Sequence, residues 1–129
     1  MARFLTAAWI AELDRLVAED QSLRRATADV SLVVQQDVIG GPDGDVAYHV
    51  ILDHGSAAVR SGRADQHDVT FRQDHATAVA IGSGELSAQA AFMIGKLTVG
   101  GNVGMLLEHQ AAFDGVEDIF AQLRATTEY

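Results

Sequence analysis

Five histidines, His49, His54, His67, His75 and His109, are the side chains of this 129-residue sequence best suited to hold a metal or move a proton. Their spacing matches no ligand pattern such as H-E-x-x-H, in which two imidazoles share one helix face. Asp43-Gly44-Asp45 opens like a calcium loop, but the twelfth position, where a bidentate glutamate is required, is His54. Ser56 and Ser61 have glycines nearby yet form no G-x-S-x-G elbow. Tyr48 and Asp53 could pair as donor and base in a small isomerase or hydrolase acting on a steroid-like substrate. Five residues apart on one strand, they face opposite ways. No metal, cofactor or catalytic residue is therefore expected.

A glycine-rich turn offers the other familiar chemistry, phosphate binding. In Val99-Gly100-Gly101-Asn102-Val103-Gly104, the last two glycines of G-x-G-x-x-G are present, but Val99 occupies the first position. Gly95-Lys96 is followed by Leu97 where a nucleotide-hydrolase loop needs Ser or Thr. Both templates fail. A tight strand-to-helix corner remains, with Gly100-Gly101 relieving backbone strain and Asn102 capping the next helix.

The elements around these residues follow from period. Thr6 can cap a helix to about Asp20, with Trp9, Ile10, Leu13, Leu16 and Val17 on one face; Leu23 can extend it. Period two then takes over from Ala28 to Ile39 and from Val46 to Leu52, around the turn-rich Gly40-Gly41-Pro42-Asp43-Gly44-Asp45. That pattern is a β-hairpin. Short strands follow around Val59 and around Val69 and Phe71. Asp74 caps a helix stopped near Gly82-Ser83-Gly84, and Ser87 caps a short one from Ala88 to Ile94. Lys96 to Val99 reads as a strand and Asn102 to Ala112 as a helix. Gly115 breaks that helix ahead of a last amphipathic one through Val116, Ile119, Phe120 and Leu123. The expected fold is α+β, one domain over 1–129, with about five mainly antiparallel strands covered by helices on one face.

Composition narrows the partners. Eighteen acidic side chains against nine basic ones give a formal charge of −9, and the cations are scattered. Such a surface repels nucleic-acid backbones. No apolar run is long enough to span a bilayer. The cysteine-free chain is expected in the cytoplasm.

The stretch from Gly84 to Met105, GELSAQAAFMIGKLTVGGNVGM, resembles the signature region of the sterol carrier protein domain. A short helix carrying Gln89 and the Phe92-Met93 pair leads into Gly-Lys-Leu, a strand, Gly-Asn and a small-apolar helix. Upstream, Gly62-Arg63-Ala64-Asp65 and Val69-Thr70-Phe71 are similar to the family's strand before the helix at Asp74. Met93 departs from the family, which carries a second aromatic there. The closing Thr126-Thr127-Glu128-Tyr129 also lacks a Ser-Lys-Leu-type peroxisomal address.

This resemblance implies an apolar tunnel that binds and transfers a sterol, fatty acid, acyl-CoA or phospholipid without catalysis. Val69 and Phe71 would face it from a strand, beneath Val79, Ile81 and Leu86. Phe92, Met93, Met105, Leu106 and Phe113 would line it from the later helices, with Gln89 as a polar anchor. The same apolar spacing equally serves a plain core, and Gln89 equally suits a helix surface. A membrane or a lipid-metabolising enzyme would be a transient partner. A groove for dimerisation or for a protein helix is the remaining alternative.

Overall fold

The computed structural model describes residues 1–129. Thr6, in extended conformation, accepts the Trp9 backbone N–H at 3.3 Å and starts α1 (Ala7–Glu19). The predicted stripe is the buried one: Trp9, Ile10, Leu13 and Val17. Leu23 does not extend this helix. Asp20 leaves helical geometry, ends α1, and accepts the Ser22 and Leu23 N–H groups to cap a separate α2 (Gln21–Ala26).

Five strands form the main sheet: β2 (Ser31–Gly41), β3 (Gly44–Asp53), β4 (Ser56–Ser61), β5 (Val69–Asp74) and β6 (Leu97–Gly101). Their order is β4-β3-β2-β5-β6. The β2–β3 pair is the expected hairpin, and Asp45 tightens its turn by accepting the Gly40 N–H at 2.8 Å. The pairs β3–β4 and β5–β6 are also antiparallel; β2–β5 is parallel, in register Val34↔Val69. The parallel pair needs a crossover, supplied by the segment 62–68 on the outer face. Buried Asp37 accepts two 3.1 Å hydrogen bonds from Arg63 Nη1, and Gln35 Oε1 accepts the Ala64 N–H at 2.9 Å. These bonds fasten the crossing chain to β2.

Helices cover the inner face. They are α1, α2, α3 (His75–Ser83), α4 (Ala88–Met93), α5 (Gly104–Glu108) and α6 (Gln110–Leu123). Asp74 and Ser87 cap α3 and α4 as predicted, accepting the Thr77 and Ala90 N–H groups. Gly84 ends α3 in the left-handed conformation. The core joins Trp9, Leu13 and Val17 of α1 to Leu32, Val34, Val50 and Leu52 of the sheet and to Ile119 and Leu123 of α6. Two short strands outside the predicted set, β1 (Ala2–Arg3) and β7 (Thr127–Glu128), pair in parallel and bring the chain ends together.

Two local expectations are corrected. The late helix breaks at His109 (φ −119°, ψ 38°), not at Gly115, which lies inside α6. Glycine disfavours a helix interior, but here it lets α6 approach α2: a Cβ would come within 3.0 Å of Leu23 Cδ1. Asn102 makes no side-chain cap to α5, whose first turn follows Val103 in helical conformation. Its backbone serves instead, the N–H donating to Asp68 O and the carbonyl accepting from Met105.

Candidate functional site

The inner face of β2, β3, β5 and β6 does not close completely against the helices. Between them lies a hollow of about 700 Å³, and 21 of its 29 lining residues are hydrophobic. Alternation along the strands aims Val34, Val50 and Phe71 into it from the sheet, with Val99 from β6. Ala78 and Ile81 of α3 stand on one side, Leu106 of α5 and Phe113, Val116 and Phe120 of α6 on the other. Phe71 and Phe113 meet edge to face at 6.2 Å, joining sheet and α6.

Seven of the sequence-derived residues line this space: Phe71, Ile81, Leu86, Gln89, Phe92, Leu106 and Phe113. Gln89 and Phe92 are exposed and lie at its rim. Four do not line it. Val69 is fully buried in the core, and Met105 packs against that core. Val79 is partly buried on α3, outside the hollow. Met93 is 77% exposed, on the outward side of α4. Both α3 and α4 are short, so a rotation of one residue decides which side chain looks inward.

Sequence reasoning passed over several lining residues. Phe4 enters from ahead of α1, where no periodic pattern flags it. Gln36 and Gln73 also line the hollow, and Gln73 Nε2 donates to Gln36 Oε1 at 3.3 Å. Their signal was present: Val34-x-Gln36-x-Val38 and Phe71-x-Gln73 keep strand alternation, so both amides fall on the inward period. Tyr48 lines the hollow from β3, stacked edge-on against Trp9 at 5.8 Å. Burial raises its pKa well above the ordinary tyrosine value.

Charge is nearly absent from the lining. Glu117 is exposed at the edge, and Arg124 Nε donates to Gly82 O at the end of α3 at 2.6 Å. The Tyr129 hydroxyl donates to the same oxygen. Asp53 sits outside the hollow, paired with His54 at 2.6 Å, so Tyr48 has no carboxylate beside it. The two carboxylates whose titration is displaced, Glu12 beside Arg15 and Asp74 bonded to Thr77, both move down. His109 lies at the α5–α6 break and does not touch the hollow. No three His, Asp or Glu side chains are grouped to hold a metal ion. At the glycine corner, Gly101 lies against the backbone of Asp68 and Val69.

The family model for the SCP-2 sterol transfer family matches residues 11–114. The chain belongs to that family. Comparison with curated proteins found no match. Among solved structures, a crystal structure of sterol carrier protein 2 is 24% identical, with TM-score 0.76 and coverage of 92% of this chain and 97% of the other. A conserved hypothetical protein from Thermus thermophilus, solved in solution, is 23% identical with TM-score 0.76, covering 100% and 93%. The solution structure of palmitated SCP2L2 from Aedes aegypti is 22% identical with TM-score 0.61, covering 88% and 94%. At these identities the SCP-2 likeness is one of fold: the same α+β arrangement of a five-stranded, mostly antiparallel sheet and helices. No helix is long and apolar enough to cross a membrane.

Proposed function

We propose that this chain, acting as one unit over residues 1–129, takes a hydrophobic lipid into the hollow and passes it on without chemical change. The carrying observation is the hollow itself, whose volume and apolar lining suit a small lipid. Transfer of apolar surface from water supplies roughly 0.8 kcal/mol per buried CH₂, so an acyl chain or sterol needs few polar contacts to be held. Family membership and the palmitate held by the Aedes relative support a lipid as the ligand class. Sterols, fatty acids, acyl-CoA and phospholipids are the candidates. In this reading Phe71, Ile81, Leu86, Leu106 and Phe113 contact the lipid, with Gln89 and Phe92 at the entrance. Met93 (77% exposed), Ile94 and Leu107 (83% exposed) give the same end an apolar rim for a membrane or a receiving enzyme to touch. The cysteine-free composition favours the cytoplasm.

Titration with a fluorescent fatty acid, checked by native mass spectrometry, tests the proposal. One saturable lipid per chain is expected, displaced by unlabelled palmitate or sterol. A concentration-dependent dimer with no lipid uptake would instead favour a protein-interaction groove.

A further inference from the structure

Deep in the apolar floor lies a polar group of a particular kind. Tyr48 is 4% exposed, yet its hydroxyl forms no hydrogen bond within the protein. No completely enclosed side-chain nitrogen or oxygen is left unpartnered, so this hydroxyl opens onto the hollow that Tyr48 lines. Gln36 is its direct cross-strand partner on the same inner face. Gln73, one inward step beyond Phe71 on the neighbouring strand, donates to Gln36 Oε1 at 3.3 Å. That bond leaves both N–H groups of Gln36 and the carbonyl of Gln73 free, in the same lining as the Tyr48 phenol, which can donate and accept.

A hydroxyl turned to an apolar hollow gains no hydrogen bond from the protein and still costs its desolvation. Phenylalanine would keep the Trp9 contact without that cost, so tyrosine here points to something outside the chain. The three groups carry no charge. Arg124, the one cation of the lining, is turned to the Gly82 carbonyl. A carboxylate or phosphate seated beside Tyr48 would lose its hydration and meet no counter-ion. An alcohol or ketone oxygen loses far less and finds donors and an acceptor already in place.

We infer that Tyr48, Gln36 and Gln73 form a neutral hydrogen-bonding subsite that selects a lipid bearing an uncharged oxygen, hydroxyl or carbonyl, on its buried part. This rests on the lipid-carrier reading above and adds the ligand's chemistry to it. The lipid's apolar body fills the hollow while its oxygen engages the phenol and the amides at the floor. Charged headgroups stay outside, at the rim.

The test compares 1-hexadecanol with hexadecane, delivered from cyclodextrin and read by displacement of a bound fluorescent fatty acid. The single tryptophan, Trp9, 5.8 Å from the Tyr48 ring, is a second reporter. Wild type is expected to bind the alcohol about five- to tenfold more tightly. Tyr48→Phe should abolish most of that preference and melt at or above the wild-type temperature. Gln36→Leu should reduce the preference in the same direction, without dependence on the Tyr48→Phe protein. Equal binding of alcohol and alkane by wild type would overturn the subsite while the carrier reading stands. Binding of neither would overturn both, and a Tyr48→Phe protein that keeps the full preference would return Tyr48 to the core.

Discussion

At Gly101 two constraints coincide: a φ of +79°, and a position where any Cβ would collide with the Asp68 carbonyl oxygen. Asp68 cannot yield easily, because its carboxylate accepts the Val33 N–H at 2.8 Å and its carbonyl accepts the Asn102 N–H at 2.7 Å. Gly101→Ala is therefore expected to cost about 2–4 kcal/mol, measured by urea denaturation. Gly100, with open space around it, should tolerate alanine with little loss. Asp74 gives a pH-dependent counterpart. Its hydrogen bonds to Thr77 hold its pKa below the ordinary carboxylate value. The stability it adds is thus present above the unfolded value of about 4 and disappears as pH falls through the lowered folded value. Asp74→Ala should cost about 1 kcal/mol at pH 7. Thermal melts of both proteins should converge toward pH 2, and a constant gap would contradict the assignment. Caps such as Asp74, Ser87 and Thr6 were legible because one side chain satisfies a neighbour two or three residues on. The backbone collision at Gly101 was not, since Asp68 comes from the crossing segment that leads into β5.

Among the elements, α5 stands apart. It has five residues, no side-chain cap and no buried residue, and it ends where His109 leaves helical geometry. Only the partly buried Met105 and Leu106 tie it to the core, so it belongs with the segments that open at small free-energy cost. Its Leu106 and Leu107 nonetheless border the hollow. Amide hydrogen exchange should be much faster in α5 than in β2 or β3, and should slow when a fatty acid is bound. Exchange in α5 as slow as in the central strands, with or without lipid, would contradict this. Period located α1, the hairpin and β5, because each buries one regular face, while α3 was set by its Asp74 cap and the glycines at its end. It misplaced the late break because Gly115 reads as a stop in isolation. Only its contact with Leu23, about ninety residues earlier, shows that it is a helix crossing. The strands β1 and β7, two residues each, carry no period at all; their pairing exists because Phe4, Trp9 and Tyr129 bring the chain ends together.

For the molecule as a whole, the α+β architecture followed from the order of periods, and the sterol-carrier signature pointed to the region bordering the hollow. The volume of the hollow did not follow, because it is a difference between how far apart the backbone holds the layers and how far side chains reach. Val69 and Phe71 share one face of β5, yet Val69 meets the core and Phe71 meets open space. Strand alternation alone does not distinguish them; what differs is their place along β5, Val69 in the closed core and Phe71 at the hollow, against Phe113 of α6. Gln36 and Gln73 were discernible as polar residues on the inward period, although nothing local shows that they adjoin Tyr48. The central claim, that this space holds a lipid, is tested most directly by titrating the purified protein with a fluorescent fatty acid while following Trp9 emission. Saturation at one lipid per chain, reversed by palmitate or sterol, is the expected result; a linear, unsaturable signal that no lipid displaces would contradict lipid carriage.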